Sequence, residues 1–172
     1  MTDIDFYLDF LDKGFICNES LQSPPNAWTQ RLGEKYIDDT KKGNKRIDYG
    51  LIELSFWRDK GTWRCNNVAV QVQRLRHGNN SIPPILENSY GRFSSFILFS
   101  EIKKELNSHK IEYDLINDKN RSDYERYYVP KSQVIIHAIP TKYDGSDDSL
   151  KAGSIWSMSL ASNNSAVWSR PF

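Results

Sequence analysis

Residues 47–75 read IDYGLIELSFWRDKGTWRCNNVAVQVQRL, and the periodicity of this stretch decides the fold class. Apolar residues recur at alternate positions from Ile47. Ile47, Tyr49 and Leu51 come first, then Ile52, Leu54 and Phe56, which predicts one strand over about 47–57. Arg58-Asp59-Lys60-Gly61 supplies turn residues with glycine last. A second alternating run extends from Trp63 to Leu75, with Val68, Val70 and Val72 on one side and Gln71 and Gln73 on the other. Two such runs joined by four turn residues predict a β-hairpin.

Upstream, the period is helical. Thr2 precedes Asp3 and Asp5, a capped and acidic first turn. Ile4, Tyr7, Leu8 and Leu11 then fall at i, i+3, i+4 and i+7, and Lys13-Gly14 supplies a cationic end and a left-handed stop. A helix over about 3–13 is predicted. Ser23-Pro24-Pro25 opens a second one, with Ala27, Trp28, Arg31 and Leu32 before Gly33, over about 24–32. Lys41 to Arg46 reads as a polar basic loop.

Downstream, 77–91 reads as a long loop and Phe93 to Phe99 as a short strand or extended lead-in. Ser100 is placed to cap a helix of about 101–109, with Ile102 and Leu106 on one face. Strands are predicted at Ile111 to Leu115, Tyr124 to Val129, Val134 to Ile139 and Ile155 to Leu160, with a short closing strand at Val167-Trp168. The run Val134-Ile135-Ile136-His137-Ala138-Ile139 is the most apolar and reads as a central strand. No repeat and no linker divides the chain. The expected fold is a single α+β domain over residues 1–172, an antiparallel sheet of five to seven strands with two or three helices packed on one side.

The chain has 172 residues, 38% hydrophobic and 26% charged, and a mean hydropathy of −0.64. That length can bury a sizeable core, and no apolar run approaches the ~18 residues of a membrane span. Met1-Thr2-Asp3-Ile4-Asp5 is acidic and lacks a basic-then-apolar export signal, so a cytoplasmic protein is expected. Cys17 and Cys65 stand 48 positions apart without a CxxC, which fits reduced, packed thiols.

A formal charge of +1 hides an internal division. Residues 1–39 hold 8 acids and 3 bases, 40–76 hold 9 bases and 3 acids, and 111–148 hold 8 acids and 5 bases. Surfaces of alternating sign can orient a charged partner although the net charge is near zero.

Chemical motifs are sparse. The nine glycines are scattered singly, without the clustered spacing of a phosphate-cradling loop. His77, His109 and His137 lie far apart without metal-ligand spacing, and there is no Gly-x-Ser-x-Gly elbow. An enzyme of unfamiliar type stays open on sequence alone. A nucleic-acid-binding module is the alternative built on 41–76, where Arg58, Arg64, Arg74 and Arg76 interleave with Trp57 and Trp63.

The run Arg46 to Trp57, the tripeptide Trp63-Arg64-Cys65 and Val70-Gln71-Val72-Gln73-Arg74-Leu75 resemble immunity proteins of bacterial polymorphic-toxin loci. In those proteins a tyrosine-glycine strand, a tryptophan after the turn and a VQVxRL strand form the first hairpin. Ser100 to Tyr143 is similar to immunity proteins encoded beside secreted Maf-type toxins, and the resemblance spans most of 24–160. It implies a non-enzymatic cytoplasmic protein that binds and neutralises the C-terminal toxic domain of its cognate toxin, often a nuclease. No cofactor, metal, membrane or direct nucleic-acid contact is implied.

The resemblance carries no shared set of inhibitory residues, so the candidate partner-binding positions rest on charge and aromaticity. They are Asp114, Asp118, Asp123, Tyr124 and Glu125, with Asp144, Asp147 and Asp148 as a second acidic loop. Carboxylates among tyrosines could cover a basic cleft. Strand alternation should nevertheless send two of Tyr113, Tyr124, Tyr127 and Tyr128 inward.

Overall fold

In the computed structural model, which describes residues 1–78, 82–116, 124–143 and 150–161, the first helix α1 (Asp3–Lys13) forms where its capping pattern places it. The Asp5 N–H donates to Thr2 Oγ1 and the Thr2 N–H donates to Asp5 Oδ2 at 2.6 Å, a reciprocal capping box. Gly14 ends the helix at φ +70°. A Cβ there would lie 2.9 Å from the Ser132 carbonyl oxygen, so glycine is required both for the left-handed backbone and for the approach of the 130–133 turn. Gly14→Ala is expected to lower stability by about 2 kcal/mol, read as a reduced urea midpoint at unchanged slope.

Three further α-helices follow: α2 (Pro25–Leu32), α3 (Pro84–Tyr90) and α4 (Phe99–Ser108). Helix α3 lies inside the stretch read as loop, where Pro83-Pro84 starts a helix by fixing φ in its first turn. Helix α4 begins earlier than Ser100 suggested. Leu98 is its N-cap, and the Leu98 N–H donates to the Glu101 carboxylate at 2.9 Å. Residues 93–98 are the extended lead-in, tied down where the Ile155 N–H donates to the Ile97 carbonyl at 2.8 Å.

Eight strands form one antiparallel sheet: β1 (Ile37–Lys41), β2 (Asn44–Asp48), β3 (Ile52–Asp59), β4 (Thr62–Val70), β5 (Asp114–Leu115), β6 (Glu125–Val129), β7 (Val134–Ala138) and β8 (Ile155–Ala161). The order across the sheet is β1-β2-β3-β4-β8-β7-β6-β5. The α+β class and single sheet are as expected, and the strand count exceeds the expected five to seven. The excess arises at Tyr49-Gly50-Leu51, where the predicted strand 47–57 breaks in two. Gly50 takes φ +84°, its N–H donates to Asp48 Oδ1 at 2.7 Å, and the Tyr49 N–H donates to the Ile52 carbonyl. The basic loop at 41–46 is likewise a tight hairpin, closed at Gly43 between β1 and β2.

The β3–β4 hairpin stands, turning at Lys60-Gly61 with both φ values positive, as right-handed strand twist demands. Its second strand stops at Val70. Val72–His77 is a 3-10 helix beside β8, not the continuation that the Val-Gln-Val-Gln alternation suggested. Val72 and Leu75, three apart, are both buried there, which a 3-10 turn achieves as well as a strand. The tyrosine-glycine strand and the VQVxRL strand of the resemblance are therefore a turn and a 3-10 helix in this chain. Val167-Trp168 lies outside the described residues.

Burial assigns the two sheet faces. Ile52, Leu54 and Phe56 of β3, Val68 and Val70 of β4, Val134, Ile136 and Ala138 of β7, and Met158 and Leu160 of β8 join the helical side chains in one core. Trp28, Tyr7, Phe10 and Phe93 are the largest fully buried rings around them. Strand β8 holds this arrangement together. Strands β1–β4 pair in chain order, as do β5–β7, and among the described residues β8 joins the two groups by pairing with β4 on one side and β7 on the other.

Candidate functional site

The other face of the sheet is where polar and aromatic side chains gather. Residues directly opposite in an antiparallel ladder share a face, so the register places these side chains. At one end of the sheet, Lys41 pairs with Asn44, Asn44 with Trp57, and Trp57 with Arg64, giving a row across β1–β4. The next row runs Asp39, Arg46, Ser55 and Asn67. Beyond β8 the same face carries His137, Arg126 and Tyr128.

Its centre is electrostatically locked. Arg74 of the 3-10 helix reaches across the face, donating from Nη1 to Asp48 Oδ1 at 2.8 Å and to the Gly50 carbonyl at 3.1 Å, and from Nη2 to Glu53 Oε2 at 2.5 Å. Arg46 adds a contact to Glu53 at 3.6 Å. Only 7% of the Glu53 side chain is exposed, and such a buried carboxylate is tolerated because two guanidinium groups surround it. The neighbouring cluster is aromatic. Tyr124 contacts both His137 and Trp156, and the Arg76 guanidinium lies 5.0 Å from the Trp156 ring centre.

The acidic candidates are divided by this geometry. Asp114 pairs with Tyr128 and lies exposed on edge strand β5 on this face, and Tyr124 adjoins it through His137. Glu125 belongs to the opposite, helix-covered face, where it pairs with buried Ala138 and accepts a hydrogen bond from the Tyr127 hydroxyl at 2.8 Å. Asp118, Asp123, Asp144, Asp147 and Asp148 lie outside the described residues. Tyr113 and Tyr127 pack on the core, with Tyr127 stacked on Phe99 at 3.9 Å, so two of the four tyrosines do turn inward. The basic-aromatic candidates are divided too. Trp57 and Arg64 are on the open face, while Arg58 and Trp63, one position along each strand, meet on the other at 5.8 Å.

Other reactive groups are quiet. Both cysteines are free. Burial pushes the Cys65 thiol up to about 12 and raises that of Cys17, so neither is a thiolate at neutral pH. A cavity of about 130 Å³ between α1, α3 and the 16–19 turn is lined by Phe6, Phe15, Ile16, Cys17, Leu86 and Tyr90. Its rim carboxylate, Asp9, is bonded to Lys13 and to the Tyr90 hydroxyl. Among the described residues no three His, Cys, Asp or Glu side chains are grouped to hold a metal ion, and no helix is long and apolar enough to cross a membrane.

Tyrosine burial sets an alkaline limit. Desolvation, then the hydrogen bonds to Asp9 and Glu125, pushes Tyr90 and Tyr127 each up to about 12, and burial raises Tyr7 and Tyr49 as well. The folded state then holds protons that the unfolded chain releases near pH ~10. Stability from these groups is complete below that pH and is lost as pH rises from ~10 towards 12. A tyrosinate absorbance titration should show a delayed, cooperative rise that coincides with loss of circular dichroism. Independent titration of all tyrosines near pH ~10 would contradict this.

Comparison with protein-family models, curated proteins and solved structures returns no match for this chain.

Proposed function

We propose that this chain is an immunity-type inhibitor. It binds the C-terminal toxic domain of a cognate secreted toxin in the cytoplasm of the producing cell and neutralises it by stoichiometric cover. The observation that supports this reading is the sheet face opposite the helices, whose β1–β4 end exposes Lys41, Asn44, Trp57 and Arg64. Seven strand spacings of ~4.8 Å and about five residues of height give a surface of about 34 Å by 16 Å. It carries tryptophan, tyrosine and arginine, the residues that dominate binding energy at protein interfaces, and its central acids are already neutralised by Arg74 and Arg46.

The test is coexpression with the toxin domain encoded beside it. Relief of growth arrest and a 1:1 complex surviving gel filtration are expected. Unrelieved arrest without a complex would overturn the reading. The nucleic-acid alternative draws on the Lys41–Asn44–Trp57–Arg64 row, but strand alternation sends Arg58 and Trp63 to the other face and Arg74 is bound to Asp48 and Glu53. Salt-dependent retention of RNA or DNA on filters would favour it.

A further inference from the structure

The row at the β1–β4 end of the open face differs from the rest of that face because its cations are not locked. Trp57 is 39% exposed. Beside it Arg64 is exposed and makes no ion pair among the described residues. Across the row, Lys41 is held among the described residues by Asp39 alone, at 3.4 Å in an exposed pair. Just beyond, Lys42 and Lys60 occupy the two turns at the same end of the sheet, both exposed. The row spans three strand spacings, about 14 Å, so an aromatic ring sits in the middle of a cationic rim.

We infer that this row is a docking site for an acidic surface segment of the partner protein, with Trp57 as the buried anchor and Arg64 as its carboxylate clamp. The assignment rests on the immunity reading and specifies which part of the sheet binds and what the toxin domain must present to it. Charge complementarity selects the occupant. Three cations without an ion pair among the described residues (Lys42, Lys60 and Arg64) around one exposed tryptophan suit a short run of Asp or Glu carried on a folded surface. A nucleic-acid strand would need successive stacking platforms and a continuous cationic track. Here the row offers a single exposed ring, Trp57, and Asp39 beside Lys41 interrupts the cations. An arginine fork can grip a carboxylate with two parallel bonds, and a tryptophan at the centre of an interface is the commonest kind of energetic anchor.

Calorimetric titration of the neighbouring toxin domain against wild type, Trp57→Ala, Arg64→Glu and a Lys42→Glu/Lys60→Glu double variant tests this, each first checked for an unchanged melting temperature. The side chains are exposed, so folding should be unaffected. Trp57→Ala and Arg64→Glu should each weaken binding about thirtyfold. The double variant should weaken binding mainly at low salt and flatten its salt dependence. If wild type binds and all variants bind within about threefold, the assignment falls while the immunity reading stands. A wild type that forms no complex overturns both. Salt-sensitive binding of single-stranded DNA that Arg64→Glu abolishes gives the row to phosphates and overturns the acidic-protein assignment.

Discussion

Replacing Arg74 by alanine is expected to lower the unfolding free energy by about 3 kcal/mol, near the low end of what breaking a buried ion pair costs. The guanidinium makes three hydrogen bonds on the open face, to Asp48, Glu53 and the Gly50 carbonyl. Removing it leaves Glu53, 7% exposed at the side chain, with Arg46 at 3.6 Å as its remaining cationic contact among the described residues. The energy at stake is mainly that orphaned carboxylate and less the lost attraction, because desolvation offsets most of an ion pair's Coulomb gain. A second substitution separates the two effects. Glu53→Gln in the Arg74→Ala background should recover at least about 1 kcal/mol. At a slope of about 2 kcal/mol/M, Arg74→Ala should lower the urea midpoint by about 1.5 M. A double variant no more stable than Arg74→Ala would show that lost packing, not the carboxylate, sets the cost.

Trp28→Ala should be more damaging, at about 4 kcal/mol. Trp28 is fully buried on α2 and is the largest side chain in the core, and truncating an aromatic there forfeits its transfer energy and leaves a cavity. Its indole Nε1 is buried without an acceptor among the described residues, and a donor in that state already costs stability. Trp28→Phe removes the unsatisfied N–H with a smaller void, so it should cost only about 1 kcal/mol. Chemical denaturation of the two variants measures the contrast. Equal losses would mean that the nitrogen has a partner, or that the site cannot accommodate a phenyl ring.

Local chemistry was legible in the sequence and pairing was not. Helix α1 can be read from Thr2, Asp5, the apolar stripe and Gly14, because every signal for it lies within a dozen residues. The β3–β4 hairpin can be read for the same reason. The break at Gly50 is hidden from the period because apolar residues continue on both sides of the turn, so period alone joins β2 to β3. The 3-10 helix is invisible to local alternation because β8, more than 80 positions later, bonds β4 only as far as Val70. The site suffers more from this than the fold. Lys41, Asn44, Trp57 and Arg64 become neighbours only through three ladder registers, whereas the acids of 112–125 cluster in the sequence itself. Of those acids and their flanking tyrosine, Glu125 faces the helices, and Asp114 and Tyr124 share the open face.

The placement of β8 between β4 and β7 has a consequence for biogenesis. While the chain emerges from the ribosome, strands β1–β4 and β5–β7 can each form by local pairing, yet both end in an unsatisfied edge until residues 155–161 arrive. Closure is a long-range event, with the slow kinetics such pairings impose. Translation that stops short of Ile155 would leave two sticky half-sheets, prone to aggregate and to be cleared by proteases, and the continuous sheet would exist only after residues 155–161 have snapped into their slot.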